Sequence, residues 1–239
     1  MKRFITVIMA VSLLCLASCS SDKNTKKDKN SSGDTDVQQE ACVVKGTKDD
    51  VSDFMADLDK VKDDLDVKEE FDEKNCYNLT SDLMYEETGI RIFKFSDSCA
   101  SFAYANGGIH PICNYVGGSG FINAVPWDYD EDGNEDLLVA SSCGSGVSRS
   151  EISLYNVSTG GYSVIVSSQD IEGLDDSSVL IVALRNTFLK GSPEAVDIYN
   201  VYEAKLEQDT SGVDISFEPV KVVGNIVCED GMVKFEPKK

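Results

Sequence analysis

The chain has 239 residues, of which 42 are Asp or Glu and 22 are Lys or Arg, so its formal net charge at pH 7 is −20. This charge argues against nucleic acid as a partner, because phosphate binding requires a basic surface. A hydrophobic fraction of 41% is sufficient for a buried core, and the single histidine, His110, excludes most zinc-hydrolase sites.

The first eighteen residues have the features of a secretory signal. Lys2 and Arg3 are followed by an apolar stretch over residues 4–16, which is too short to span a bilayer stably. Residues 16–19 then read Leu-Ala-Ser-Cys, which resembles a bacterial lipobox. The resemblance implies that the signal is removed before Cys19, that this thiol carries lipid with acyl chains such as palmitate, and that the protein is anchored to a bacterial membrane or cell surface. The alternative is an ordinary signal peptide followed by a chance cysteine.

Residues 20–41 are polar and show no apolar periodicity. Such a segment cannot bury enough surface to offset the entropy of ordering. It is therefore predicted to be a disordered linker, which leaves residues 42–239 as a single extracytoplasmic domain.

The cysteines indicate an exported domain. Of the eight, Cys15 leaves with the signal and Cys19 takes the lipid. The remaining even number predicts up to three disulfides, with their pairing open and buried thiols as the alternative: Cys42, Cys76, Cys99, Cys113, Cys143 and Cys228. A metal site is disfavoured because no Cys-x-x-Cys pair occurs, and a reactive Cys113 beside His110 is a less favoured interpretation.

One helix is predicted over residues 48–65. Residues 47–50 fit a capping box, and the apolar residues that follow recur at spacings of three and four: Val51, Phe54, Met55, Leu58, Val61 and Leu65. The opposite face is acidic. This pattern predicts an amphipathic helix packed against a sheet, and the alternative is a helix that docks a partner.

Strand patterns dominate the rest of the chain. Alternation over residues 89–95, 151–155 and 162–166 predicts half-buried strands, the last two joined as a hairpin through 158–161. Continuous apolar runs at 136–140 and 179–184 predict central strands buried on both faces. A terminal meander is predicted over 198–206, 213–217 and 233–235. The predicted fold is mainly β (α+β), an antiparallel β domain with an N-terminal amphipathic helix.

The segment that carries chemistry is the acidic loop over residues 128–136. Its acidic residues at positions 1, 3, 5 and 9 would repel one another without a cation, and Gly133 at position 6 permits a sharp turn. Hard oxygen ligands at this spacing favour Ca²⁺ over zinc or copper. An EF-hand is disfavoured because position 12 is Val139 and a strand follows. The alternative is an acidic surface turn without an ion.

This loop and the strand after it resemble the calcium loops of FG-GAP and VCBS-type repeats, over about residues 125–166. The resemblance implies one propeller-blade-like unit. A complete propeller is not expected, because several such loops would be needed. It also implies that calcium is bound by the side chains of Asp128, Asp130, Asp132 and Asp136 and by the backbone carbonyl of Asn134.

Three functions remain open at this point. The favoured one is a membrane-anchored, non-enzymatic binding module with structural calcium and an unknown protein or glycan ligand. The second is a cell-wall or polysaccharide hydrolase, which requires an open cleft with two carboxylates about 5 to 10 Å apart. The third is a sensor or accessory subunit that docks through an exposed apolar stripe on the helix at 48–65.

Overall fold

The computed structural model describes residues 42–65, 71–80, 82–105, 108–113, 118–144, 149–184, 199–208, 213–229 and 231–238. The predicted signal peptide, Cys19 and the linker lie outside these ranges. Within them, no helix combines the length and hydropathy needed to cross a membrane.

The N-terminal sheet is an antiparallel meander of four strands in chain order. They are β2 (Cys76–Asn78), β3 (Arg91–Phe95), β4 (Ser101–Ala105) and β5 (Gly108–Pro111). Helix α1 (Val51–Val61) precedes the sheet, and a short helix α2 (Asp82–Thr88) connects β2 to β3.

The central sheet is a second antiparallel meander. Its strands are β6 (Gly120–Trp127), β7 (Asp136–Cys143), β8 (Arg149–Asn156) and β9 (Gly161–Ser167). The C-terminal sheet has five strands, which are β1 (Cys42–Val44), β10 (Val179–Leu184), β11 (Tyr199–Gln208), β12 (Ile215–Glu229) and β13 (Met232–Pro237). Their order in the sheet is β1-β12-β11-β10, with β13 also paired to β12.

Three apolar clusters place these elements in layers. Residues of α1 pack against one face of the N-terminal sheet, and the other face of that sheet packs against the central sheet. Strand β7 shows the arrangement most clearly, because Leu137 and Val139 face the N-terminal sheet whereas Leu138 and Ala140 belong to the cluster shared with the C-terminal sheet. The prediction that this strand is buried on both faces is confirmed. The prediction of a mainly antiparallel β fold is also confirmed.

Helix α1 lies within the segment predicted to be helical, 48–65, but begins three residues later and ends four residues earlier. Val51, Phe54 and Leu58 are at most 2% exposed, whereas Asp53 and Asp59 face solvent. The predicted capping box is wrong. The N-cap residue is Asp50 in a left-handed conformation (φ 59°) without a side-chain cap, and the Thr47 hydroxyl accepts a 3.3 Å hydrogen bond from Asp49 N instead.

Strand β10 is not central in its sheet, contrary to the prediction, yet it is buried. It ends the hydrogen-bonded order of the C-terminal sheet and packs against the central sheet, whose polar side chains bond to its backbone. Asn123 Nδ2 donates to Val182 O at 2.7 Å, and Leu180 N donates to Ser150 Oγ at 2.8 Å. Side chains of the central sheet thus bond to backbone groups of β10 that would otherwise pair with a neighbouring strand.

Other strands differ from prediction in length or were not predicted. The segment at 213–217 extends into the 15-residue β12, because register shifts opposite β11 accommodate Pro219 and the residues that follow it. The alternation at 89–95 predicted a half-buried strand, but both faces of β3 are buried, because this strand lies between α1 and the central sheet. Strands β1, β2, β4, β5 and β6 were not predicted.

No disulfide joins the cysteines whose side chains are described, and the predicted pairings stay predictions. The five cysteines with described side chains are free thiols: Cys76, Cys99, Cys113, Cys143 and Cys228. Topology excludes one pairing, that of Cys42 with Cys228. Cys42 pairs with Phe217 on β12, and Cys228 lies eleven residues further along that strand, about 35 Å at the usual rise. Cys228 Sγ instead lies 3.7 Å from Tyr129 O.

Candidate metal centre

The acidic loop connects β6 to β7 at one end of the central sheet. Since the strands are antiparallel, β8 ends where β7 begins, and the turn from β8 to β9 lies at the same end of the sheet. Two connections separated by about twenty residues are therefore neighbours. The site is built from both of them.

Three carboxylates of the loop converge. One oxygen from each of Asp128, Asp130 and Asp132 lies within 4.8 Å of the other two, close enough to hold a metal ion together. Backbone amides offset part of their mutual repulsion. Asp128 accepts hydrogen bonds from Asp132 N and Gly133 N, both at 3.1 Å, and Asp132 accepts from Asn134 N at 2.8 Å.

The fourth predicted carboxylate, Asp136, begins β7 and is only 1% exposed. Its Oδ1 accepts a 2.8 Å hydrogen bond from Val157 N. Burial raises the pKa of Asp136 to about 6, and the nearby charges of Asp130, Asp132 and Asp128 act in the same direction, against the bond from Val157 N. A buried carboxylate beside three others is costly unless a positive charge is added.

The β8–β9 turn supplies the contacts that join these groups. Asn156 Nδ2 donates to Asp130 Oδ2 at 3.2 Å and to Asp136 Oδ2 at 3.3 Å, so one amide group bridges the loop and the buried carboxylate. The Ser158 hydroxyl donates to Asp132 Oδ2 at 2.6 Å. That bond, together with bonds from Asn134, lowers the pKa of Asp132.

The fifth predicted ligand, the carbonyl of Asn134, remains a prediction. The side chain of Asn134 is exposed and donates to Asp132 Oδ1 at 3.0 Å and to Ser158 Oγ at 3.3 Å. Asn134 therefore helps to connect the loop to the β8–β9 turn.

Two residues of the loop have left-handed backbone conformations. Gly133 has φ 85° with open space around its α-carbon, as its predicted role in a sharp turn requires. Glu131 has φ 57°. This conformation costs roughly 1 kcal/mol for a residue with a β-carbon, so the loop holds its shape at some cost in backbone strain.

Three aromatic residues pack together next to the loop. Trp127 is 8% exposed, and its ring centroid lies 5.1 Å from that of Tyr199 and 6.2 Å from that of Tyr129. Trp127 is therefore a core residue. Tyr129 is half-buried, and burial is the main cause of its raised pKa.

The reactive Cys113–His110 interpretation finds no support in the electrostatics of the two groups. Burial raises the pKa of the Cys113 thiol to about 12, and burial lowers the pKa of His110. An activated pair requires the opposite shifts, since the thiolate and the imidazolium stabilise each other. The His110 ring instead packs near Tyr155, with ring centroids 5.6 Å apart.

An open groove of about 560 Å³ lies beside α1, with Asp59, Asp72 and Glu73 among its lining residues. Each carboxylate has a local partner. Asp59 pairs with Lys62 at 3.1 Å, Asp72 accepts from Lys74 N at 2.9 Å, and Glu73 accepts from Ser52 Oγ at 3.1 Å. These bonds give each of the three carboxylates a local structural role, and the hydrolase stays a prediction.

The site residues that the sequence did not predict are Asn156, Val157 and Ser158. Their signal was indirect: the turn at 158–161 was predicted as a hairpin, and only the meander order places that hairpin beside the acidic loop. Comparison of the chain with protein-family models, curated proteins and solved structures finds no match.

Proposed function

We propose that the protein is a lipid-anchored, extracytoplasmic binding module whose central sheet is stabilised by one calcium ion at the acidic loop. The observation that carries the calcium site is the convergence of Asp128, Asp130 and Asp132 within 4.8 Å beside the buried carboxylate of Asp136. All of these donors are hard oxygens, which suit calcium.

The proposed ion has a structural role. The loop is tied to the β8–β9 turn through Asn156 and Ser158, so charge repulsion in the loop also strains that turn. A divalent cation removes this repulsion and supplies the positive counter-charge that stabilises the buried Asp136 carboxylate. The carboxylates then hold the two connections at this end of the sheet in place. The resemblance to FG-GAP and VCBS-type loops supports the same assignment.

The structure of α1 bears on the docking alternative. That interpretation needed an exposed apolar stripe on the helix, and Val51, Phe54 and Leu58 are buried against the N-terminal sheet. We therefore propose a binding module whose ligand does not contact this stripe.

The calcium proposal predicts a change in thermal stability. Adding about 2 mM Ca²⁺ to protein in EDTA supplies about 1.8 kcal/mol if the dissociation constant is about 0.1 mM. For a domain of this size the melting temperature, Tm, should rise by about 4 to 7 °C. The rise should disappear in Asp130→Ala and persist in Asp176→Ala, an exposed carboxylate distant in sequence from the loop. An equal rise in both variants would overturn the assignment of the loop.

The anchor is tested separately through Cys19. The full chain, produced in a bacterium that processes lipoproteins, should partition into the detergent phase of a Triton X-114 extraction. Cys19→Ser should move it to the aqueous phase, whereas Cys15→Ser should not. Detergent partitioning of Cys19→Ser equal to that of the unmutated chain would contradict lipidation at this cysteine.

A further inference from the structure

Three cysteines lie at the end of the sheets opposite the acidic loop. Cys113 follows β5 and is 5% exposed, within the core between the N-terminal and central sheets. Cys143 is the last residue of β7, and Cys99 lies in the turn before β4; both are half-buried. None of the three lies in the acidic loop, so their placement does not depend on calcium.

The orientation of Cys143 follows from the register of β7. Pairing between β7 and β8 is regular from Leu137 to Cys143, so alternate residues of β7 face the same side. Leu137 and Val139 are in the same apolar cluster as Cys113. Cys143 is therefore on the face of β7 that is directed toward the sheet that carries Cys113.

Two glycines that follow Cys113 in the chain lie against the other two cysteines. Gly118 lies five residues after Cys113, with φ +77°, and a β-carbon added to it would lie 2.7 Å from Cys143 Cα. Gly118 thus packs directly on Cys143. Two residues later, a β-carbon at Gly120 would lie 3.2 Å from Cys99 Cβ.

The titration behaviour of neighbouring groups agrees with this placement. Burial raises the pKa of Cys113 to about 12. A hydrogen bond with Ser101 and the charge of Lys94 act against this shift, whereas the nearby Cys99 and Cys143 thiols act in the same direction as burial. Burial also raises the pKa of Tyr162 to about 12, and the groups acting on its hydroxyl include Ser153, Cys113 and Ser141. Ser141 is on the same face of β7 as Cys143, two residues away.

We propose that Cys113 and Cys143, which are free thiols in the structure described above, are oxidised to a disulfide that links the N-terminal sheet to the central sheet. In its formation the Cys143 thiolate attacks one sulfur of a disulfide oxidant, such as oxidised glutathione, and releases one thiol. The Cys113 thiolate then attacks the Cys143 sulfur and releases the second thiol. Two protons and two electrons leave the protein, and the oxidant is reduced to two thiols. The step belongs to folding, before burial disfavours the Cys113 thiolate.

The test is to refold the full chain in a buffer of oxidised and reduced glutathione, block free thiols with iodoacetamide, and map the linked peptides by mass spectrometry. Trypsin is unsuitable, because Lys94 and Arg149 are the nearest basic residues on either side of all three cysteines. Chymotrypsin separates them, since Tyr104 lies between Cys99 and Cys113 and Trp127 between Cys113 and Cys143.

The expected result is a crosslink between the peptides of Cys113 and Cys143, with Cys99 blocked by iodoacetamide. The crosslink should persist in Cys99→Ser and be lost in Cys143→Ser. Reduction of the refolded chain should lower its Tm by about 5 to 10 °C, because the bond closes a loop of about thirty residues. Complete blocking of Cys113, or a crosslink from Cys113 to Cys99, would overturn the proposal. A calcium response with no crosslink would leave the metal site standing and reject this disulfide alone.

Discussion

Replacing Phe54 with Ala should lower the free energy of unfolding by about 3 to 5 kcal/mol, because truncating a buried phenylalanine removes its apolar surface and leaves a cavity. Phe54 is fully buried, and its ring lies parallel to that of Phe93 with 4.1 Å between the centroids. Phe95, Phe102 and Tyr104 surround it at centroid distances of 6.0 to 6.3 Å. This side chain therefore packs α1 against the aromatic residues of β3 and β4.

The measurement is urea denaturation followed by circular dichroism. Asp53→Ala is the matched control, since Asp53 is exposed on the same turn of α1 and its loss should cost less than about 1 kcal/mol. If Phe54→Ala were no more destabilising than this control, the helix would not be packed against the sheet as described.

Replacing Asp136 with Asn should stabilise the metal-free protein and abolish its response to calcium. In EDTA at pH 7.5 the unmutated protein holds a buried carboxylate whose pKa is raised from 3.8 to about 6, which costs on the order of 3 kcal/mol. The Asp136→Asn substitution would remove that cost, while the new amide oxygen still accepts from Val157 N. Loss of the Asn156 bond to the second oxygen offsets about 1 kcal/mol. The metal-free variant should therefore be more stable by about 1 to 2 kcal/mol.

The pH dependence of this difference has a definite sign. The folded state holds the Asp136 proton more tightly than the unfolded state, so the contribution of this group to stability is fully present below about pH 4. It is lost as the pH rises through about 6. In EDTA the advantage of Asp136→Asn should therefore be small near pH 4 and largest above pH 7. Adding about 2 mM Ca²⁺ at pH 7.5 should raise the stability of the unmutated protein to about that of the variant. The stability of the variant should not change. Equal calcium responses in the two proteins would exclude Asp136 as a ligand.

Features that depend on residues close together in the sequence could be predicted, whereas features that depend on contacts between distant segments could not. The stripe of Val51, Phe54 and Leu58 is a local pattern of large apolar residues, so the helix could be predicted. Strand β4 could not, because the residues that it directs toward the central sheet are small: Ser101, Ala103 and Ala105. Small side chains give weak hydrophobic alternation, although they are well buried.

The same distinction holds for the metal site. The spacing of Asp128, Asp130 and Asp132 is local, and these three carboxylates do converge. The roles of Asn156 and Ser158 depend on the antiparallel order of β7, β8 and β9, which brings a distant turn against the loop. Likewise, the cysteine count could not exclude a bond between Cys42 and Cys228, whereas their positions along β12 do.

The pairing of β1 with β12 has a consequence for folding kinetics. The N-terminal and central sheets are meanders of successive strands, so most of their contacts join nearby segments and can form early. Strand β1 instead pairs Cys42 with Phe217 and Val44 with Ile215, across more than 170 residues. Closing so large a loop costs entropy that only late contacts repay. On a ribosome or during export, β1 can pair only after nearly the whole chain has emerged, so we expect its pairing to be one of the last steps of folding.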